Sequence, residues 1–402
     1  MIEIDDPFVD SITIPDKFFC DREAETKQLI ENITSNVNTV LYAPRRVGKS
    51  SLIQHVLAQS EISQSYNCLY VDILGTRDAA GFAEEFQKAL LNADFAKDEK
   101  IKQSLLSSFP AILTTLAGLF ISQDSPVNMS TYATSAISMS LAQIFGYLES
   151  TKKPTIVVFD EFQKIEDYSE PMAAMLRSEI QKLRRTRFIF SGSETHMLSI
   201  MFNNRTKPFF SSARDMSIGI ISLAKYTDYC RRMFAMFGKG ITDDAVRLTY
   251  YTFCGITRSN QEIMRYVFHH TCEGDIADMN DIVSAIRSLV VSKENSIRTE
   301  LGKLTVNAQK LFKYVAANGI LENPTSTKQR IGLTQSQIQH LANKYTSEEY
   351  ALLSKVGKNS LKITDKLMEL FILGPEKLEQ RLQCSEAIFQ REQQLLQVFP
   401  EW

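Results

Sequence analysis

Residues 38–52 read NTVLYAPRRVGKSSL: an apolar β-rich run, a turn of small and basic residues, then a run with helical spacing. A strand that turns at once into a helix N-terminus converges backbone N–H groups on one point, which suits an anion. The segment Ala43-Pro44-Arg45-Arg46-Val47-Gly48-Lys49-Ser50 keeps the spacing of a phosphate-binding loop, with alanine in place of its first glycine. Alanine suffices there if its φ stays negative, and Gly48 holds the place where backbone approaches phosphate most closely. In such a loop Lys49 reaches the β- and γ-phosphates and the Ser50 hydroxyl coordinates magnesium, and Ser51 beside it is expected to join the nucleotide-binding set.

A second string narrows the reading. In TIVVFDEF, Asp160-Glu161 follows directly on an apolar strand. An aspartate at that place can hold magnesium, and the glutamate beside it can align or deprotonate an attacking water. Either string alone arises in ordinary turns. The two in this order on successive α/β units point to a working site for ATP and magnesium. Farther on, FIFSGSETH ends a strand in Ser191 and Ser193, where a hydroxyl would sense a γ-phosphate; an ordinary serine-rich loop looks the same.

The first half alternates β-rich and helical runs, the mark of an α/β fold with a parallel sheet. Expected strands are Asn38–Ala43, Asn67–Leu74, Thr155–Asp160, Arg187–Gly192 and Met216–Leu223, several apolar throughout as in strands covered on both faces. At 402 residues the chain exceeds one ordinary core. The divisions expected are a P-loop α/β domain over 1–223, a helical lid over 224–295, a winged helix over 296–374 and a helical tail over 375–402. The winged helix is read from VNAQKLFKYVAANG, LTQSQIQHLANK and two β-like runs around Gly357-Lys358-Asn359, the second in LKITDKLMELFI.

Composition excludes other classes. Net charge is −2, so no global field draws the chain to nucleic acid or an anionic membrane. The N-terminus lacks the basic and apolar regions of a signal peptide. The apolar run Phe109–Ile121 falls short of the roughly 20 residues a membrane helix needs and reads as a buried helix. Six cysteines without a Cys-x-x-Cys pair, and five histidines away from acids at ligand spacing, argue against zinc and disulfides and suit the cytoplasm.

These strings together resemble the archaeal-type ATPases of the STAND/AAA+ superfamily. The resemblance runs from FFCDREAETKQL through APRRVGKSSL, VVFDEFQKI and FIFSGSETHML to the C-terminal region. It implies Lys49 on the phosphates, Ser50 and Asp160 on magnesium, Glu161 on the water, and Arg22 and Glu23 near the nucleotide. Arg214 matches an arginine before the last strand that would touch a γ-phosphate in this or a neighbouring subunit; a plain surface arginine is the other reading. Many STAND members carry Gly-x-Pro in the lid, whereas this chain has Gly255-Ile256-Thr257-Arg258, which makes Arg258 the candidate for reaching phosphate.

The output would lie in the C-terminal modules. Gln335, Gln337, Gln339 and Lys344 on the expected recognition helix, with Lys355, Lys358 and Lys362 on the wing, form a modest basic set for DNA. A DNA-linked switch or motor, a signalling ATPase that contacts protein or forms homo-oligomers, and a nucleotide-binding scaffold with little turnover all remain open at this level.

Overall fold

The computed structural model describes residues 6–9, 11–93, 95, 129–168, 171–321, 330–347, 350–356 and 360–398. The run Phe109–Ile121 and the turn Gly357-Lys358-Asn359 lie outside the described residues. The chain divides into two compact units, one of residues 11–16 and 22–219, the other of 1–10, 17–21 and 220–402.

The first unit is built on a five-stranded sheet in the order β2-β3-β4-β1-β5. The strands are β1 (Thr39–Tyr42), β2 (Asn67–Asp72), β3 (Thr155–Asp160), β4 (Thr186–Gly192) and β5 (Arg214–Ser217). Every pairing is parallel, so Tyr42, Asp72, Asp160 and Gly192 end their strands along one edge. All six residues of β3 are buried, which explains its unbroken apolar sequence. Phe159 stacks between Phe188 and Phe190 on β4 at 6.0 and 6.3 Å, and the helices Ala79–Asn92, Met129–Ser150 and Met172–Ile180 contribute Phe86, Phe145 and Leu176 to the same core.

The last strand differs from expectation. β5 starts two residues earlier than the apolar run and ends at Ser217, and Leu223 begins a helix capped by the Ser222 hydroxyl. As an edge strand, β5 pairs only with β1, so its apolar residues need not follow the ladder.

The second unit opens with four helices, Leu223–Met236, Asp243–Thr252, Thr257–His270 and Met279–Ser292. Phe8 is fully buried among them, with ring centroids 5.6–5.7 Å from Tyr229, Phe234 and Phe268. The two-residue strands β6 (Gly240–Ile241) and β7 (Ile276–Ala277) are too short for any periodicity to announce. Beyond them come the helices Glu294–Gly302, Val306–Asn318 and Gln335–Thr346, then an antiparallel hairpin of β8 (Leu353–Val356) and β9 (Ser360–Ile363). Leu321 bonds Leu361 in both directions, at 2.8 and 2.9 Å, adding a short third arm.

The run read as a closing strand divides in two. β9 stops at Ile363, and the Asp365 carboxylate accepts from the N–H groups of Leu367 and Met368 at 2.8 and 3.2 Å, starting the helix Lys366–Leu373. A short apolar run has no periodicity that separates strand from buried helix; the cap decides. The expected single tail helix likewise breaks at Cys384 into Pro375–Gln383 and Ser385–Val398.

Charges inside this unit pin that tail. Glu369 is fully buried, and Lys366 donates to it at 2.6 Å while Arg381 engages its other oxygen. Lys362 pairs with Glu392, and the Cys254 thiol donates to the same carboxylate at 3.4 Å. Breaking a buried pair from one side leaves charge without compensation, whereas an exposed pair matters little. Glu369→Gln is therefore expected to cost about 3–5 kcal/mol of stability in this unit. Urea unfolding followed by far-ultraviolet circular dichroism checks this, and a loss below about 1 kcal/mol would contradict it.

Candidate nucleotide site

The loop of residues 43–48 leaves β1 at the edge where the strands end. Ala43 is fully buried and is absent from the positive-φ residues, so its backbone makes no demand that only glycine meets. Gly48, at φ +95°, does, and it hands the chain into the helix Lys49–Ala58. Arg46 also takes a positive φ of 67°. Arg22 holds the loop from behind: its guanidinium donates to the carbonyls of Val47 and Gly219 at 3.3 and 2.6 Å and pairs with Glu25 at 2.8 Å.

Lys49 is 7% exposed, and its ammonium faces two carboxylates, bonding Asp160 directly and Glu161 at 3.3 Å. The Ser50 hydroxyl donates to the second oxygen of Asp160 at 2.8 Å, and Ser191, fully buried on β4, donates to the first at 2.7 Å. Tyr70, which the sequence reading did not single out, donates its hydroxyl to Asp160 from β2. Burial by itself would raise the Asp160 pKa, but the Lys49 ammonium and these donors outweigh it and hold the carboxyl at about 2.

Glu161 sits in a different seat. Its backbone is left-handed at φ 57°, which turns the side chain off the strand end. One oxygen accepts from Gln163 at 2.7 Å, from the Ser193 hydroxyl at 2.8 Å and from the Ser193 N–H at 3.2 Å. The other oxygen faces Lys49. Burial pushes this carboxyl up and Lys49, Gln163 and Ser193 pull it down, with a net lowering. Gln163 packs so closely on β4 that a Cβ at Gly192 would lie 2.0 Å from its amide oxygen, so a side chain there would push Gln163 out of this seat. Ser193 also accepts from Arg45 at 3.2 Å, linking the phosphate loop to the glutamate. Asp72, level with Asp160 on β2, has its pKa raised, by burial first and by Asp160 and Glu161 after it.

Other expected site residues fall elsewhere. Ser51 points its hydroxyl at the carbonyl of Ser11, 3.5 Å away. Arg214 opens β5 opposite Thr39, at the strand end remote from the loop, and donates to Asn32 at 2.7 Å; it does not join this cluster. Arg258 lies in the first turn of Thr257–His270, in the second unit.

Known proteins are similar to this chain. Residues 19–207 match the family model described as an ATPase domain predominantly from Archaea. Two uncharacterised ATP-binding proteins are similar: one of Methanocaldococcus jannaschii, 26% identical over 167 residues, and one of Pyrococcus horikoshii, 29% over 156. Each match covers 37% of this chain and 44% of the relative, so the chain spans less than half the length of these curated relatives. Among solved structures, a Walker-type ATPase of Pyrococcus abyssi superposes with a TM-score of 0.56 at 14% identity, over 91% of this chain and 99% of that one. The Aeropyrum pernix ORC2 protein gives 0.53 at 11%, over 96% and 98%. These likenesses establish the fold, a P-loop parallel sheet with a helical C-terminal region. Residues 19–207, the nucleotide-binding region, are thus similar to the archaeal ATPase family.

Proposed function

We propose that the chain is a magnesium-dependent ATPase that couples nucleotide state to its C-terminal unit, as a switch. The observation that carries this is the pair of differently seated carboxylates around Lys49. Lys49 and the backbone around Gly48 would take the phosphates. Asp160 stays ionised beside the Ser50 hydroxyl, a hard oxygen pair of the kind that holds magnesium together with phosphate oxygens. The ion would neutralise charge on the transferred group. Glu161, set apart by Gln163 and Ser193, would orient and deprotonate the water. The Aeropyrum pernix ORC2 structure holds ADPNP and ADP, which supports an adenine nucleotide here.

We read the Val306–Asn318 and Gln335–Thr346 helices with the β8–β9 hairpin as a winged helix. Lys362, one of the cations expected for DNA, is half-buried and paired with Glu392. That removes a wing charge and favours a protein partner, or a second copy of the chain, over duplex DNA.

Glu161→Gln is expected to lower ATP turnover by about 10²-fold or more while ATP binding persists. Steady-state phosphate release measured beside nucleotide affinity checks it; unchanged turnover would remove Glu161 from the chemistry. Run with duplex DNA, the same assay should show no salt-sensitive stimulation, and stimulation would restore the DNA reading. Gln163→Ala should reduce kcat by roughly tenfold at unchanged ATP affinity, because it frees the glutamate and not the phosphates.

The depressed carboxyl has a consequence for acid stability. Asp160 titrates at about 2 when folded against an ordinary 3.8, so its stabilisation is complete above pH 3.8 and disappears as pH falls toward 2. Lys49→Met removes the ammonium, so the Asp160 pKa rises and the stabilisation is lost earlier in the titration. Circular dichroism during acid titration should find the variant's midpoint at higher pH than the wild type's.

A further inference from the structure

A cavity of about 480 Å³ lies on the second unit, between the start of the Val306–Asn318 helix and one stripe of the Gln335–Thr346 helix. Thr305 and Asn307 line one side, and Ser336, His340 and Lys344, four residues apart on the helix, line the other. Among the described residues that line it, all but Leu341 carry a polar side chain and none carries a carboxylate. The Thr305 hydroxyl accepts from Ala308 N–H at 3.3 Å, which leaves the N–H groups of Val306 and Asn307 without an acceptor inside the helix.

Two further observations point to a ligand. Tyr345 lines the cavity and is 1% exposed, yet its hydroxyl is buried without a hydrogen-bond partner. Its ring is fixed edge-on to Phe312 and Tyr350, at 5.5 and 5.3 Å, so the hydroxyl does not turn away easily. Lys344 makes no ion pair among the described residues; its ammonium lies 5.4 and 5.0 Å from the Tyr345 and Tyr350 rings, which hold it in place. A cation held over two rings, an imidazole and a helix N-terminus around one polar space, with an unsatisfied hydroxyl buried beside it, are complementary to an oxyanion with several acceptors.

We infer that this cavity binds the phosphate group of a small phosphorylated compound. The volume exceeds that of a bare phosphate and leaves room for the group that carries it. Duplex DNA is the less suitable occupant, since it needs several cations spaced along its backbone and this cavity offers one lysine.

The test is a titration of the full chain with inorganic phosphate and with ribose 5-phosphate, following the histidine Cε1–Hε1 NMR signals. Five histidines make this tractable, and His340→Asn identifies the relevant signal. Saturating MgADP fills the phosphate loop throughout, and Lys49→Ala repeats the experiment without that site. The expected result is a saturable shift of the His340 signal, with half-saturation in the millimolar range or below for ribose 5-phosphate. Affinity should fall roughly tenfold in Lys344→Gln, the loss of one charge-assisted hydrogen bond, and stay unchanged in Lys355→Gln. Tyr345→Phe, which removes only the buried oxygen, should weaken binding in the same direction and serves where Lys344→Gln does not fold. No shift, a shift that chloride reproduces at equal ionic strength, or a shift indifferent to both variants would overturn the inference. So would a duplex that shifts His340 at far lower concentration than either small compound.

Discussion

Lys49 is the interaction around which the first unit's chemistry is arranged. An ammonium withdrawn from water needs compensation, and two carboxylates supply it from the end of a single strand. Because the sheet is parallel, β1, β3 and β4 deliver the loop, the acids and the serines to the same edge without any long-range adjustment. The acids share that cation yet differ in their other partners. Asp160 is surrounded by hydroxyls, whereas Glu161 is held by an amide and a serine, and the proposed division of their roles rests on this difference.

Much of this was legible in the chain because it is local. A phosphate loop is written in eight consecutive residues, and Asp160-Glu161 in two, each beside an apolar run that fixes its strand. Tyr70 was not legible: a tyrosine on a buried strand looks like core, and only the β2–β3 register brings its hydroxyl to Asp160. Gln163 reads as part of an acidic turn until its amide is seen to lie against Gly192 and donate to Glu161. Arg214 is a different case: at the start of a strand in a parallel sheet it lies at the edge opposite the loop, so its place in the sequence already set it apart from this cluster. Lys362 looked like a wing cation because alternation cannot reveal a carboxylate, Glu392, thirty residues away.

The second unit depends on polar burial more than on pattern. Its tail is held by Glu369, Arg381, Lys362 and Glu392, charges that binary patterning assigns to the surface. Such groups fix one arrangement of helices among several that apolar contacts alone would allow, since each alternative strands a charge.

The way the units divide the chain gives one of them a core drawn from distant parts of the sequence. Phe8 and its aromatic neighbours, which begin at Tyr229, are more than two hundred residues apart. Nearly all of the other unit, residues 22–219, lies between them in the chain. Docking the Phe8 segment closes that long loop, and such distant contacts form slowly.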